Sequence, residues 1–152
     1  MIDTQTQLYG IIGNPVRHSL SPIIHNGVFR KMGLNAVFLA FEVKDLKDAI
    51  DGIRGLGIQG VSVTIPFKEE IIPLLDEIGP QAAKIGAVNT VMNRDGHLTG
   101  YNTDWLGALV ALEEKTAIQG KRVLILGAGG AAKAIAFAIL EKGGQAAVAD
   151  VD

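Results

Sequence analysis

From Val123 to Leu140 the chain carries a single charge, Lys133, and the glycines inside that run decide what it can become. An apolar stretch of this length suggests a membrane span. Gly127, Gly129 and Gly130 would break such a helix in its middle. A buried strand, Val123-Leu124-Ile125-Leu126, followed by a glycine turn and a buried helix through Leu140 fits the pattern better. A strand, a glycine turn and a helix in that order make this region α/β.

The same alternation runs through the rest of the sequence. Leu8 to Ile12 reads as a short buried strand ended by Gly13-Asn14-Pro15. Ser21-Pro22 suggests an N-cap with proline at the first helical position, and Gly33 a stop. Ala36 to Val43 is a second strand, and Asp45 caps a helix carrying Leu46, Ala49, Ile50 and Ile53. Val61, Val63 and Ile65 alternate with Ser62 and Thr64, a period-2 strand that Pro66 ends before a helix. Helical turns are expected through Leu75 and around Pro80 to Ile85. Ala87 to Met92 reads as a fourth strand, and Asp95-Gly96 as a hairpin turn. Thr103-Asp104 begins a helix with Trp105, Leu106, Leu109 and Leu112 on its apolar side. The βαβα order implies a mostly parallel sheet in an α/β, three-layer αβα domain over residues 1–104. Residues 105–152 then form a linker helix and the first βαβ unit of a Rossmann-like dinucleotide-binding domain.

Five clusters can carry chemistry. Gly127, Gly129 and Ala132 match the G-x-G-x-x-A fingerprint, so Gly127, Ala128, Gly129, Gly130 and Ala131 are the expected cradle of a dinucleotide pyrophosphate. Asp150 lies at the end of the next strand, where an acidic residue meets a ribose hydroxyl; it reads equally well as a solvated strand end. Ser19 and Ser21 converge on a helix start, which suits an anion such as a carboxylate, although Ser21 also reads as a cap. Asn89 stands in an otherwise apolar strand and needs partners, either backbone or a polyhydroxylated ligand. Lys68 follows the strand ending at Thr64, at the sheet edge where α/β proteins bind ligands. A lone lysine there is mostly a solvated one; partly desolvated, and partnered by Asp104, it suits proton transfer. Asp104 alone would read as a helix cap.

Composition narrows the field. A formal net charge of −2 with no basic cluster argues against nucleic acid as a partner. The absence of cysteine excludes disulfides and thiolate zinc sites, and no metal site is expected. The N-terminus has neither the basic nor the apolar region of a secretion signal. A soluble, cytoplasmic protein without membrane contact is expected, acting on a small molecule, with a homodimer left open.

Asn14-Pro15 with His18-Ser19-Leu20-Ser21-Pro22, Thr64-Ile65-Pro66-Phe67-Lys68, Gly86-Ala87-Val88-Asn89-Thr90, Asn102-Thr103-Asp104 and Gly127-Ala128-Gly129-Gly130 together resemble shikimate dehydrogenase, in that family's order. The resemblance implies reversible reduction of 3-dehydroshikimate to shikimate with NADP or NAD. Ser19 and Ser21 would hold the substrate carboxylate, and Thr64, Asn89, Thr103 and Asp104 its hydroxyls. Lys68 and Asp104 would move the proton. One departure stands out: Asp150, Val151 and Asp152 occupy the places where NADP-preferring members carry Asn-Arg-Thr, which weakens the case for NADP over NAD. The chain also ends after two strands of the second sheet. It is therefore expected to be roughly the first half of an enzyme, inactive alone, or else a shikimate-binding module without turnover. A related quinate/shikimate dehydrogenase is a neighbouring reading. A folate-linked dehydrogenase is less well matched, because its substrate needs no carboxylate clamp of the Ser19/Ser21 kind.

Overall fold

The computed structural model describes residues 2–151, which form two sheets. The elements are β1 (Gln7–Gly13), α1 (Ser21–Met32), β2 (Ala36–Glu42), α2 (Leu46–Gly55), β3 (Gly60–Val63), α3 (Phe67–Glu70), β4 (Glu77–Ile78), α4 (Pro80–Ile85), β5 (Thr90–Arg94), β6 (His97–Tyr101), α5 (Asp104–Glu113), β7 (Arg122–Leu126), α6 (Gly130–Glu141) and β8 (Gln145–Ala149). The first sheet has the order β2-β1-β3-β5-β6-β4, and the second pairs β7 with β8 in parallel. Five of the six strands run one way; β5 alone is antiparallel to its neighbours β3 and β6. The expectation of a mostly parallel α/β sheet is met.

Alternation along β1 divides the core into two layers. Ile12 joins Ile50, Ile53, Val61, Val63, Ile71, Val88, Val91 and Leu98 under α2, α3 and α4. Its neighbour Ile11 faces the other way, with Phe38 and Val16 and the half-buried Phe29 of α1. Asp45 caps α2 by accepting a hydrogen bond from the Asp48 N–H at 3.0 Å. The hairpin between β5 and β6 turns at Asp95 (φ 52) and Gly96 (φ 90), the two left-handed residues that such a turn demands. α5 and α6 pack together around Leu109, Ile118, Ile125, Ala132, Ala138 and Ile139, and Trp105 meets Phe137 edge-on at 5.4 Å.

Several local expectations need correction. Ser21 does not cap α1: it is already the helix's first residue, and the N-cap position is Leu20, whose side chain makes no cap bond. Instead the Ser21 N–H donates to Ser19 Oγ at 3.2 Å. The strand before Lys68 stops at Val63, so Thr64, Ile65 and Pro66 form the turn into α3, with Pro66 at its N-cap position. Asn89 precedes β5 instead of lying inside a strand, because Gly86 ends α4 in a left-handed conformation and the chain re-enters the sheet only at Thr90. Leu106 faces away from the α5 core and is half exposed, since that core is formed by Leu109 with Trp105 and Leu112. No helix among the described residues is long and apolar enough to cross a membrane.

Candidate functional site

The reversal of β5 gathers the site. Ser19 and Ser21 follow the carboxyl end of β1, and Thr64 and Lys68 follow that of its parallel neighbour β3. Because β5 runs backwards, Asn89, just ahead of it, lies at this same edge. Thr103 and Asp104 follow the end of β6, which runs with β1 and β3. All seven residues expected to meet a substrate therefore come to the carboxyl edge of the sheet, the position open α/β sheets use for ligands.

Lys68, the second residue of α3, reaches Asp104 with Nζ 2.6 Å from Oδ2, and the two side chains are 17% and 30% exposed. Charge-assisted contacts of this length in partial burial are the stronger kind of hydrogen bond. Asp104 Oδ1 accepts a second bond from Asn89 Nδ2 at 2.7 Å. Asn89 also binds Thr103, its Nδ2 donating to Oγ1 at 2.9 Å and its Oδ1 accepting from the Thr103 N–H at 2.8 Å. The amide that stands out in the sequence is thus satisfied locally, and its local partners are the other site residues. Thr64 presses its methyl against Gly13, where a Cβ would collide with Thr64 Cγ2, so only glycine fits there. Ser19 and Ser21 are linked only through the Ser21 N–H described above. Arg17, a few residues ahead of them, pairs with Glu42 at the surface at 2.7 Å, and His18 is exposed.

Asn102 carries a role that its motif alone does not disclose. It is buried, its Nδ2 donates to the Ala87 carbonyl at 2.9 Å, and its Oδ1 accepts from the N–H groups of Asp104 and Trp105 at 3.0 and 3.4 Å. It thereby caps α5, which frees the Asp104 carboxylate for Lys68. An asparagine two places ahead of a helix's first acidic residue is the available signal.

The glycine turn closes the other side. A cleft of about 530 Å³ is lined by Thr64, Lys68 and Glu69 on one wall and by Gly127, Gly129 and Gly130 on the other. Gly127 adopts φ 103, which favours glycine, and a Cβ at Gly129 would meet nothing within 4 Å, so a ligand can approach the backbone there. α6 has no side-chain cap, leaving its first N–H groups available to an anion. These features fit the pyrophosphate of a dinucleotide. Ala128 and Ala131 belong to the same turn. Asp150 accepts from the Ala128 N–H at 2.7 Å and from the Val151 N–H at 2.8 Å, so it is tied to the turn rather than free in solvent. Each of its oxygens keeps a lone pair for a ribose hydroxyl. Among the described residues no group of histidine and carboxylate side chains could hold a metal ion.

Fold and cleft define an α/β protein that sets a partly buried lysine–carboxylate pair opposite a dinucleotide-type glycine turn. The chain belongs to the shikimate dehydrogenase family: that family's substrate binding domain matches residues 11–91, more than half of it. It is 59% identical over 138 residues to a protein of Pyrococcus furiosus named shikimate dehydrogenase (NADP(+)), covering 90% of this chain and 51% of that one. The fold is similar to the crystal structure of shikimate dehydrogenase from Aquifex aeolicus, with a TM-score of 0.97 at 49% identity over 100% of this chain and 58% of the other. It is also similar to shikimate 5-dehydrogenase from Listeria monocytogenes in complex with shikimate and NAD, with a TM-score of 0.83 at 41% identity over 98% of this chain and 63% of the other. The chain spans about half the length of the curated relatives it matches.

Proposed function

We propose that this protein works as a shikimate dehydrogenase, interconverting 3-dehydroshikimate and shikimate on the route to aromatic amino acids. The observation that carries the reading is the Lys68–Asp104 pair, 2.6 Å apart, whose lysine lines the cleft that the glycine turn closes. Residues 1–104 form the substrate-binding part in this reading, and residues 105–152 begin the nucleotide-binding part. Ser19 and Ser21 hold the acid's carboxylate, and Thr64, Asn89, Thr103 and Asp104 hold its hydroxyls. In the oxidising direction the reacting hydroxyl gives its proton to the Lys68–Asp104 pair; in the reverse direction the Lys68 ammonium returns it to the carbonyl oxygen. Asn89 keeps Asp104 aimed at the lysine throughout.

Gly127, Ala128, Gly129, Gly130 and Ala131 would hold the cofactor's pyrophosphate, and Asp150 its ribose. A bound nicotinamide supplies or accepts the hydride. The Pyrococcus relative's name supports NADP, whereas a carboxylate at Asp150 favours a ribose hydroxyl over a 2′-phosphate and so supports use of NAD. The same reading makes the protein a soluble cytoplasmic one, monomeric or homodimeric, whose partner is a small molecule and neither nucleic acid nor a membrane.

A second reading, a module that binds the acid without turnover, is favoured by one observation: the hydrogen-bonded network of Lys68, Asp104, Asn89 and Thr103 stands entirely at the edge of the six-stranded sheet. Two measurements on the chain separate the readings. Calorimetric titration with shikimate should give binding that Ser19→Ala and Ser21→Ala weaken; heat-silent titration would sink both readings. Nicotinamide absorbance with shikimate and NADP or NAD then reports turnover, and binding without turnover would leave the second reading.

A further inference from the structure

Lys68 is held from behind as well as in front. Gly130, the first residue of α6, backs onto its stem: a Cβ added there would stand 3.0 Å from Lys68 Cβ, 3.3 Å from Ala87 Cβ and 3.4 Å from Lys68 Cδ. Carbon atoms in ordinary contact sit about 3.5–4.0 Å apart, so even one methyl must displace the lysine or the helix. Gly129, one residue earlier, has no such neighbour within 4 Å. The two adjacent glycines therefore differ in kind: Gly129 opens on the cleft, while the space beside Gly130 is filled by the protein's own lysine.

Two further contacts seat α6 against the same element. Ala134, fully buried, packs on Ile85 and Ala87. Lys133 Nζ lies 2.5 Å from Oε2 of Glu69, the residue after Lys68, with both side chains 42% exposed. The Lys68 carbonyl accepts the Val88 N–H at 2.7 Å, so the lysine's backbone is already tied to the segment that Ala134 touches.

We propose that α6 is a positioning element for Lys68: Gly130 leaves room for the lysine's stem, and the Lys133–Glu69 pair pins α3 to the helix, so that the ammonium stays on Asp104. The catalytic meaning of this rests on the proton-transfer reading of Lys68 and Asp104; the positioning itself does not. Gly130 thus serves the lysine rather than only the nucleotide turn, and the nucleotide-binding part sets the geometry of a group in the substrate-binding part.

The test is heteronuclear NMR of the whole chain with lysines labelled at the ε-carbon, the Lys68 signal being identified by its loss in Lys68→Arg. Gly130→Ala should displace the Lys68 signal while Lys47, paired with Asp51 on α2, stays in place. Gly129→Ala should leave Lys68 unmoved, and Lys133→Met should displace it less than Gly130→Ala does. Adding shikimate to the unaltered chain should also move the Lys68 signal; silence there sinks the proton-transfer reading and leaves the positioning result standing. An unmoved Lys68 signal in folded Gly130→Ala, or an equal displacement in Gly129→Ala, overturns the proposal. Should Gly130→Ala lose its folded spectrum, Lys133→Met decides, because its partly exposed side chain is tolerated by the fold: displacement supports the proposal and an unmoved signal overturns it.

Discussion

The two sheets are built on different terms. Around the six-stranded sheet, apolar residues from the strands and from the segments that join them vanish from solvent: Ile71, Val88 and Leu98 are fully buried and Ile12 and Val91 nearly so. In the β7–β8 sheet only Ile125 is buried, and the closed core lies instead on α6, at Ala134, Ala138 and Ile139. The first sheet is stabilised by its own two layers of cover. The second is held to the molecule by one helix, through α5 on one flank and the Lys68 region on the other. The lesson is that the polar network of the site stands on the well-covered half, and the glycine turn owes its place to α6 more than to its own strands.

The largest effect that would break this comparison is kinetic. On the proposed function, Lys68→Ala in the full-length enzyme should lower kcat by about 10²–10⁴-fold, the worth of a positioned acid–base group, and change KM much less. Followed by nicotinamide absorbance, near-normal kcat would remove Lys68 from the chemistry. Stability comes next. Ile71→Ala, in the well-covered core, should cost about 2–5 kcal/mol, whereas Leu126→Ala, 81% exposed, should stay within about 0.5 kcal/mol. Urea unfolding of both variants measures the contrast directly, and equal losses would erase it.

Asn102→Ala should cost about 1–2 kcal/mol, through loss of the α5 cap and of the bond to the Ala87 carbonyl. Thermal unfolding reads the cost; an unchanged midpoint would mean that Asp104 caps the helix itself. The smallest effect is a pH response confined to the first sheet. Arg54, 2.6 Å away, and the Leu98 N–H, at 2.7 Å, hold the Asp76 carboxyl below its ordinary value of 3.8. The unfolded chain then binds the proton first, so this stability is fully present above that ordinary value and is lost as pH falls through the lower folded one. Asp76→Asn should therefore flatten the acid limb of the stability curve. A limb of unchanged slope would show that the pair contributes nothing.

Much of this is legible in the sequence, because the strongest signals are local. Asp95-Gly96 between two runs and Gly127 after an apolar strand each report a backbone conformation that few residues adopt, Asp45 before an apolar helix reports a side-chain cap, and each appears as expected. Motif order pairs Lys68 with Asp104, and they meet. What stays hidden depends on contacts distant in sequence. Ser21 reads as a cap, but the chain enters α1 in a helical conformation at Leu20, leaving Ser21 already inside the helix. Asn89 reads as a strand residue because Ala87 and Val88 are apolar, yet their burial comes from α4, α6 and the sheet meeting there, not from strand pairing. The close approach of Gly130 to Lys68 spans the two sheets and leaves no periodic trace at all.

The backward run of β5 also bears on how the chain finds its fold. Asn89 meets Asp104 across only 15 positions, through a hairpin with a two-residue turn, while Lys68 meets Asp104 across 36 and α6 meets α3 across 64. Short loops cost less entropy to close and tend to form earlier. Half of the polar network can therefore assemble as a local event before the lysine arrives, giving the lysine a ready-made berth. Substitutions at Val91 and Leu98 should then slow folding, whereas those at Ile139 should mainly speed unfolding. Stopped-flow kinetics showing the reverse partition would mean that the long-range docking of α6 comes first.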